Sequence, residues 1–182
     1  MATILTHPVV PLTLGLMLGL GQKRLPWPLV LTGMLAAILP DLDVISFKLG
    51  IAYDSAFGHR GFSHSIVFAM LVASMASIFH TRLRSSILVC WLFIAFSTLS
   101  HGLLDALTTG GLGVEFFWPL TEERYFFPWQ FIQVSPIGVN RFLTARGWRV
   151  IQSELLTVWL PCSLLVLSVK LATYSSSSQK SS

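Results

Sequence analysis

Charge is scarce in this chain: Asp, Glu, Lys and Arg make up 11% of its 182 residues, against about 25% in a soluble domain. Cysteine is scarcer still. Cys90 and Cys162 both fall inside apolar runs and form no CxxC pair. That excludes a disulfide framework and a thiolate zinc site, and leaves packing as their role. No basic stripe or nucleic-acid motif accompanies the net charge of +4, so no nucleic-acid partner is expected. No cation precedes Lys23, so the first apolar run lacks the basic head of a cleaved signal and reads as a retained helix. The sequence has no internal repeat.

What is present is apolar surface. Hydrophobic residues make up 53% of the chain and the mean hydropathy is +0.71, which predicts a membrane protein. Five apolar runs predict an all-α fold of about five membrane helices: Pro8 to Gly21, Trp27 to Leu39, Phe62 to Phe79, Ser86 to Leu107 and Leu155 to Tyr174. The first two are short, about 14 residues or roughly 21 Å against a hydrocarbon core of ~30 Å. They form either a hairpin in a thinned bilayer or helices buried against longer neighbours. Residues 1–174 read as one domain, and the serine-rich stretch 175–182 as a disordered tail. Between the last two runs lies Thr108 to Glu154, rich in aromatics such as Phe116, Phe117, Trp118, Tyr125 and Trp129. It is expected to lie at headgroup depth, as an anchoring belt or as a lipid-facing entrance.

Five crossings sort the polar residues. One face receives Lys23, Arg24, Arg82, Arg84, Lys170 and Lys180 and no acid; the other receives the remaining six cations and all eight carboxylates. The positive-inside rule makes the first face cytoplasmic. The same alternation carries His7, Asp41, Asp43, His59, His64, His101 and Asp105 to the opposite face, which is periplasmic, or extracellular in a one-membrane cell. His80 falls at the other end of its helix, about 16 residues or ~24 Å away, and is not expected to be a ligand.

Each group has a plain role and a chemical one. His101 and Asp105 are four apart on one helical face. They form either a packing pair or a functional intramembrane pair. Asp41 and Asp43 follow Pro40, and are loop carboxylates or ligands of one cation. His59 and His64 bracket Arg60-Gly61-Phe62-Ser63, where Gly58 and Gly61 permit a tight backbone. Arg60 suits two oxygens of a phosphate or carboxylate, or else a salt bridge to Asp54 or a lipid headgroup. Imidazole with carboxylate and no thiolate fits one or two divalent ions, Zn²⁺ before Mn²⁺ or Fe²⁺.

In order and spacing, Thr6-His7-Pro8, Pro40-Asp41-Leu42-Asp43, His59-Arg60-Gly61-Phe62-Ser63-His64-Ser65 and Ser100-His101-Gly102-Leu103-Leu104-Asp105 resemble the LexA-regulated, membrane-bound, metal-dependent hydrolase family. The later Phe117-Trp118-Pro119-Leu120 resembles that family's Trp-Pro-Phe stretch, with leucine in place of phenylalanine. The resemblance implies hydrolysis by metal-activated water and control by the DNA-damage response, which these residues do not themselves encode. The expected substrate is an ester or phosphoester, a small molecule or a membrane lipid. Asp41, His59, His64, His101 and Asp105 are the preferred ligands, His7 and Asp43 are ligands or their supports, and Arg60 is the anion clamp. The alternatives are a metal or proton transporter or channel, and a non-catalytic membrane module. Substrate, metal identity and oligomeric state are not legible.

Overall fold

The structure, a computed structural model, describes residues 1–19, 25–136 and 138–179. Lys23, Arg24 and Lys180, three of the six cations assigned to the cytoplasmic face, lie outside the described residues. Within them the fold is helical, with two isolated bridges, Thr108 with Ile132 and Val114 with Tyr125, as the strand-like pairings.

Helix α1 (Val9–Gly19) is 11 residues, as short as expected. Helix α2 (Trp27–Ala36) does not lead into a loop at Pro40. It passes through a 3₁₀ turn (Leu39–Val44) into α3 (Ile45–Lys48), so that Trp27–Lys48 forms a 22-residue apolar stretch. Proline is tolerated there because it sits in the first turn of the new 3₁₀ segment, where its missing N–H costs little. The third run is shorter than the expected Phe62 to Phe79. Phe62–His64 forms its own 3₁₀ turn, and α4 (Ile66–Ser77) starts after Ser65, whose side chain accepts from the Phe68 N–H at 3.1 Å. This serine cap fixes the start. Helix α5 (Ile87–Ala106) has the 20 residues a span requires, capped by Ser86.

After α5 the aromatic segment runs in turns to α6 (Val139–Phe142). The last helix starts ten residues earlier than expected, as α7 (Ala145–Glu154), followed by a π turn (Leu155–Trp159) and α8 (Leu160–Gln179). Pro161 explains the π turn: its ring cannot fit an unbroken α-helix, and the preceding turn widens to accept it. The helix continues to Gln179, where composition predicts a disordered tail from Ser175. Extending an existing helix needs no new nucleus.

Helix α4 packs along α5, α2 also packs on α5, and α1 contacts α2, α5 and α8. Leu29, Val30 and Ala36 of α2, Ala73 of α4 and Cys90, Phe93 and Ile94 of α5 form the core between them. In lipid such contacts are driven by close packing more than by escape from water. Gly33 makes the closest approach possible: a Cβ there would collide with the Phe93 ring and come within 2.8 Å of the Ser97 hydroxyl oxygen. This packing brings the C-terminal ends of α2 and α5 together, and the polar residues gather there.

Candidate metal centre

Pro40 sets one wall of the site. Lacking an N–H, it cannot satisfy the Ala37 carbonyl, while the Asp41 N–H goes to Ile38 at 3.1 Å. The freed Ala37 carbonyl accepts from His101 Nδ1 at 2.7 Å. That bond fixes the ring and leaves Nε2 bare. His64 is held in the same manner from the other side. The Ser63 hydroxyl donates to Asp43 at 2.8 Å, so it accepts from His64 Nδ1 at 3.0 Å, with Asp43 itself 3.2 Å from that nitrogen, and Nε2 faces inward.

The two inward nitrogens, His64 Nε2 and His101 Nε2, lie 3.0 Å apart. Two lone pairs cannot sit so close without a proton or a cation between them. Around them, Asp41 Oδ1 is 3.4 Å from His101 Nε2, and Asp105 Oδ2 is 3.6 Å from His64 Nε2. The four ligand atoms all lie within 4.8 Å of one another, and all four residues are buried. Zinc bonds of ~2.0–2.1 Å in a tetrahedron put ligand atoms about 3.3 Å apart, so the spacing suits such an ion.

Two further observations fit a cation. Both Asp41 oxygens and both His7 nitrogens are buried with no hydrogen-bond partner, a costly condition for a carboxylate unless a cation meets it. His7 Nε2 lies 3.8 Å from both Asp41 and Asp105, and its ring stacks on His101 with centroids 3.6 Å apart. Burial pushes His7 down to about 3, so it is neutral and one ring nitrogen keeps a free lone pair. Burial opposes charge on His64 as well, yet the carboxylates of Asp105 and Asp43 hold it up at about 9. Without a metal, therefore, His64 supplies the proton between the two rings. The side-chain charges agree: three carboxylates, Asp41, Asp43 and Asp105, face one guanidinium, Arg60. That excess, partly offset by the Met1 ammonium beside Asp105, attracts a cation.

The structure thus brings together all seven histidine and aspartate candidates, and it separates their tasks. Asp41, His64, His101 and Asp105 form the four-residue group that could bind a metal ion, with His7 against it. Asp43 turns away: it pairs with His59 Nδ1 at 2.5 Å and accepts from the Ser63 hydroxyl at 2.8 Å and the Arg60 N–H at 3.0 Å. His59 therefore lies beside Asp43, outside the four. Arg60 is fully buried. It donates through Nε to Asp105 at 2.9 Å, and through its terminal nitrogens to the Gly110 carbonyl and the Thr108 hydroxyl. Its guanidinium faces Asp105 in place of the expected open anion site or Asp54. Its φ of 66° is a left-handed conformation rare outside glycine, and it turns the side chain inward. His80 lies at the far end of α4, with Nδ1 3.2 Å from the Ser85 carbonyl.

Two supporting residues escaped the sequence argument. Glu154 is buried and accepts from the Thr3 N–H, the Thr3 hydroxyl and the Thr6 hydroxyl, the last at 2.7 Å. It ties the N-terminal segment that carries His7 to the last helix. The signal was available, because Glu154 is the one carboxylate at the head of that helix's apolar run. Arg124 pairs with buried Glu115 at 2.6 Å and donates to the carbonyls of His59, Tyr53 and Ser55. It fastens the loop that presents His59 and Arg60.

Compared with known proteins, residues 1–178 match the YdjM inner membrane protein family. The chain is 50% identical over 167 residues to the inner membrane protein YbcI of Escherichia coli (strain K12), covering 91% of this chain and 95% of that protein. No solved structure matches it.

Proposed function

Since the chain belongs to the YdjM inner membrane protein family, we propose that it is a membrane-bound, metal-dependent hydrolase of an ester or phosphoester. Asp41, His64, His101 and Asp105 would hold one divalent ion, Zn²⁺ before Mn²⁺ or Fe²⁺, with His7 as a further ligand or neighbour. When bound, such an ion supplies Lewis acidity, which brings the pKa of a water at the centre toward ~7. The chain needs no side-chain nucleophile for this chemistry. Water adds at the ester carbon or phosphorus, the bond to the leaving oxygen breaks, and that oxygen takes up the proton the water gave.

The residues around the group have supporting tasks. Ala37 and Asp43 orient the two imidazoles, and Asp43 holds His59 beside them. Arg60 holds Asp105 and offsets its charge in a fully buried place. The observation that carries the proposal is the pair of inward-facing Nε2 atoms 3.0 Å apart with two carboxylates beside them. The positive-inside count supports a site on the non-cytoplasmic side.

Metal analysis of the detergent-purified chain tests it: about one zinc per chain is expected in the wild type, and none in His101→Ala. Hydrolysis should fall with chelation and with His64→Ala. Wild-type protein with no stoichiometric metal, or with hydrolysis indifferent to both treatments, refutes the proposal.

A further inference from the structure

The four side chains of the candidate centre are sealed except at one edge. Those of His64, His101 and Asp105 have no exposed surface, whereas that of Asp41 keeps 5%. Asp41 also lines a cavity of about 510 Å³, within the ~300–1,000 Å³ of small-ligand sites. The rest of its wall is mainly apolar, with Met1, Ile4, Leu5, Val44 and Phe142 as the principal hydrophobic contributors. Of the polar side chains on the wall, Thr3 is engaged by Glu154 and Ser135 by the Pro136 carbonyl. Asp41 alone among them also belongs to the candidate centre: its two oxygens are themselves buried and unpartnered, 3.4 Å from His101 and 3.8 Å from His7, so the cavity wall and the centre share this one residue.

We propose that this cavity holds the acyl chain of a single-chain amphiphile and brings its ester or phosphoester head to Asp41. The proposal rests on the metal-centre reading and narrows its substrate to a class. A sugar or peptide ester in such a cavity would leave its own polar groups unpaired, which disfavours its binding there. An acyl chain has no such groups, and it matches the gradient from apolar wall to ion-binding end. Ile4 and Leu5, 52% and 57% exposed, continue the apolar surface outward, so a chain can enter from the bilayer of an inner membrane protein without crossing water.

The test uses the full chain and a lysophosphatidylglycerol carrying a diazirine in its acyl tail. Photolabel is expected in the peptides holding Leu5 and Val44. It should fall at least tenfold in Val44→Trp, which fills the cavity, while zinc binding keeps its wild-type affinity. Leu5→Trp, at the mouth, gives a second reading should the first variant fail to fold. Label confined to α8, or unchanged in a folded cavity-filling variant, overturns the proposal. Wild-type protein that binds zinc and leaves the cavity unlabelled rejects the acyl site alone. Wild-type protein that binds no zinc rejects the metal centre and this proposal with it, since the head group then meets no ion.

Discussion

Asp41→Asn should raise the stability of the metal-free protein and abolish its response to metal. Asp41 is a buried carboxylate with no hydrogen-bond donor on either oxygen; its neighbours His101 and His7 stand off at 3.4 and 3.8 Å. An unmet buried polar group costs about 1–3 kcal/mol, and a charged one more. Asparagine keeps the shape, removes the charge, and offers an N–H₂ to the one unprotonated nitrogen of His7. A gain of about 1–3 kcal/mol is therefore expected without metal. At about 2–4 °C per kcal/mol for a chain of this size, the midpoint of unfolding should rise by roughly 2–12 °C. The wild type, in contrast, should gain about 2.7 kcal/mol from zinc at a hundred times its Kd, and the variant nothing.

The assay is thermal unfolding of detergent-purified protein, with zinc and with EDTA, for both chains. The opposed signs make it decisive, because a residue that merely holds helices together would lower stability when changed. A variant that melts at or below the wild type in EDTA would refute the argument that Asp41 is an unmet charge. One that still shifts with zinc would refute its place as a ligand.

Asp43→Asn, which loosens His64 without removing a ligand, should weaken zinc binding by about 10–100-fold, read by competition against a chromophoric chelator. An unchanged Kd would remove Asp43 from the support of the site. Zinc binding should also depend on pH, because His64, held at about 9 without metal, must lose its Nε2 proton to become a ligand. Affinity should climb about tenfold per pH unit between pH 7 and 9, with about one proton released per zinc by calorimetry in two buffers. The raised pKa has the opposite effect on the metal-free fold: the contribution of His64 is complete below its ordinary 6.5 and is lost as pH rises through about 9. Glu154→Ala strips the acceptor from Thr3 and Thr6. It should cost about 1–3 kcal/mol and weaken zinc binding by loosening His7, an effect Glu154→Gln should partly rescue. His80→Ala should leave zinc affinity unchanged, and a loss there would contradict the one-ended site.

The convergence of residues almost a hundred positions apart was legible, because alternating crossings and the helical repeat decide which end of the bundle each polar group reaches. His7, His64, His101 and Asp105 need no more than that. What separates Asp41 from Asp43 was not legible. Two residues apart on a 3₁₀ turn they point about 120° apart, so one faces His101 and the other His59. Read as loop residues, they look equivalent. The Ala37 carbonyl could not be found either, since backbone acceptors carry no residue signature; only the missing N–H of Pro40 hints at it. Helix ends moved for local reasons, a serine cap at Ser65 and a proline at 161, that the hydrophobic runs do not express.

The inward layers of the bundle bear on the rival reading of the site as part of an ion pathway. A carrier places its coordinating groups near the membrane midplane, between repeats that can rock. Here the group lies at the C-terminal end of α5, and the hydroxyls that follow it inward are turned on their own helix. Ser100 donates to Ser97, Thr98 to Ile94 and Ser97 to Phe93, each to a backbone carbonyl. Beneath them Leu29, Cys90, Phe93 and Ile94 are packed and buried. Among the described residues the next histidine in the chain is His80, in the turn past the opposite end of α4 and engaged with Ser85. An ion held at Asp41 thus has the cavity on one side and an apolar plug on the other. That favours a centre where a substrate comes to the ion over one through which the ion passes, and sealed vesicles of the purified chain should accumulate no zinc beyond the bound equivalent.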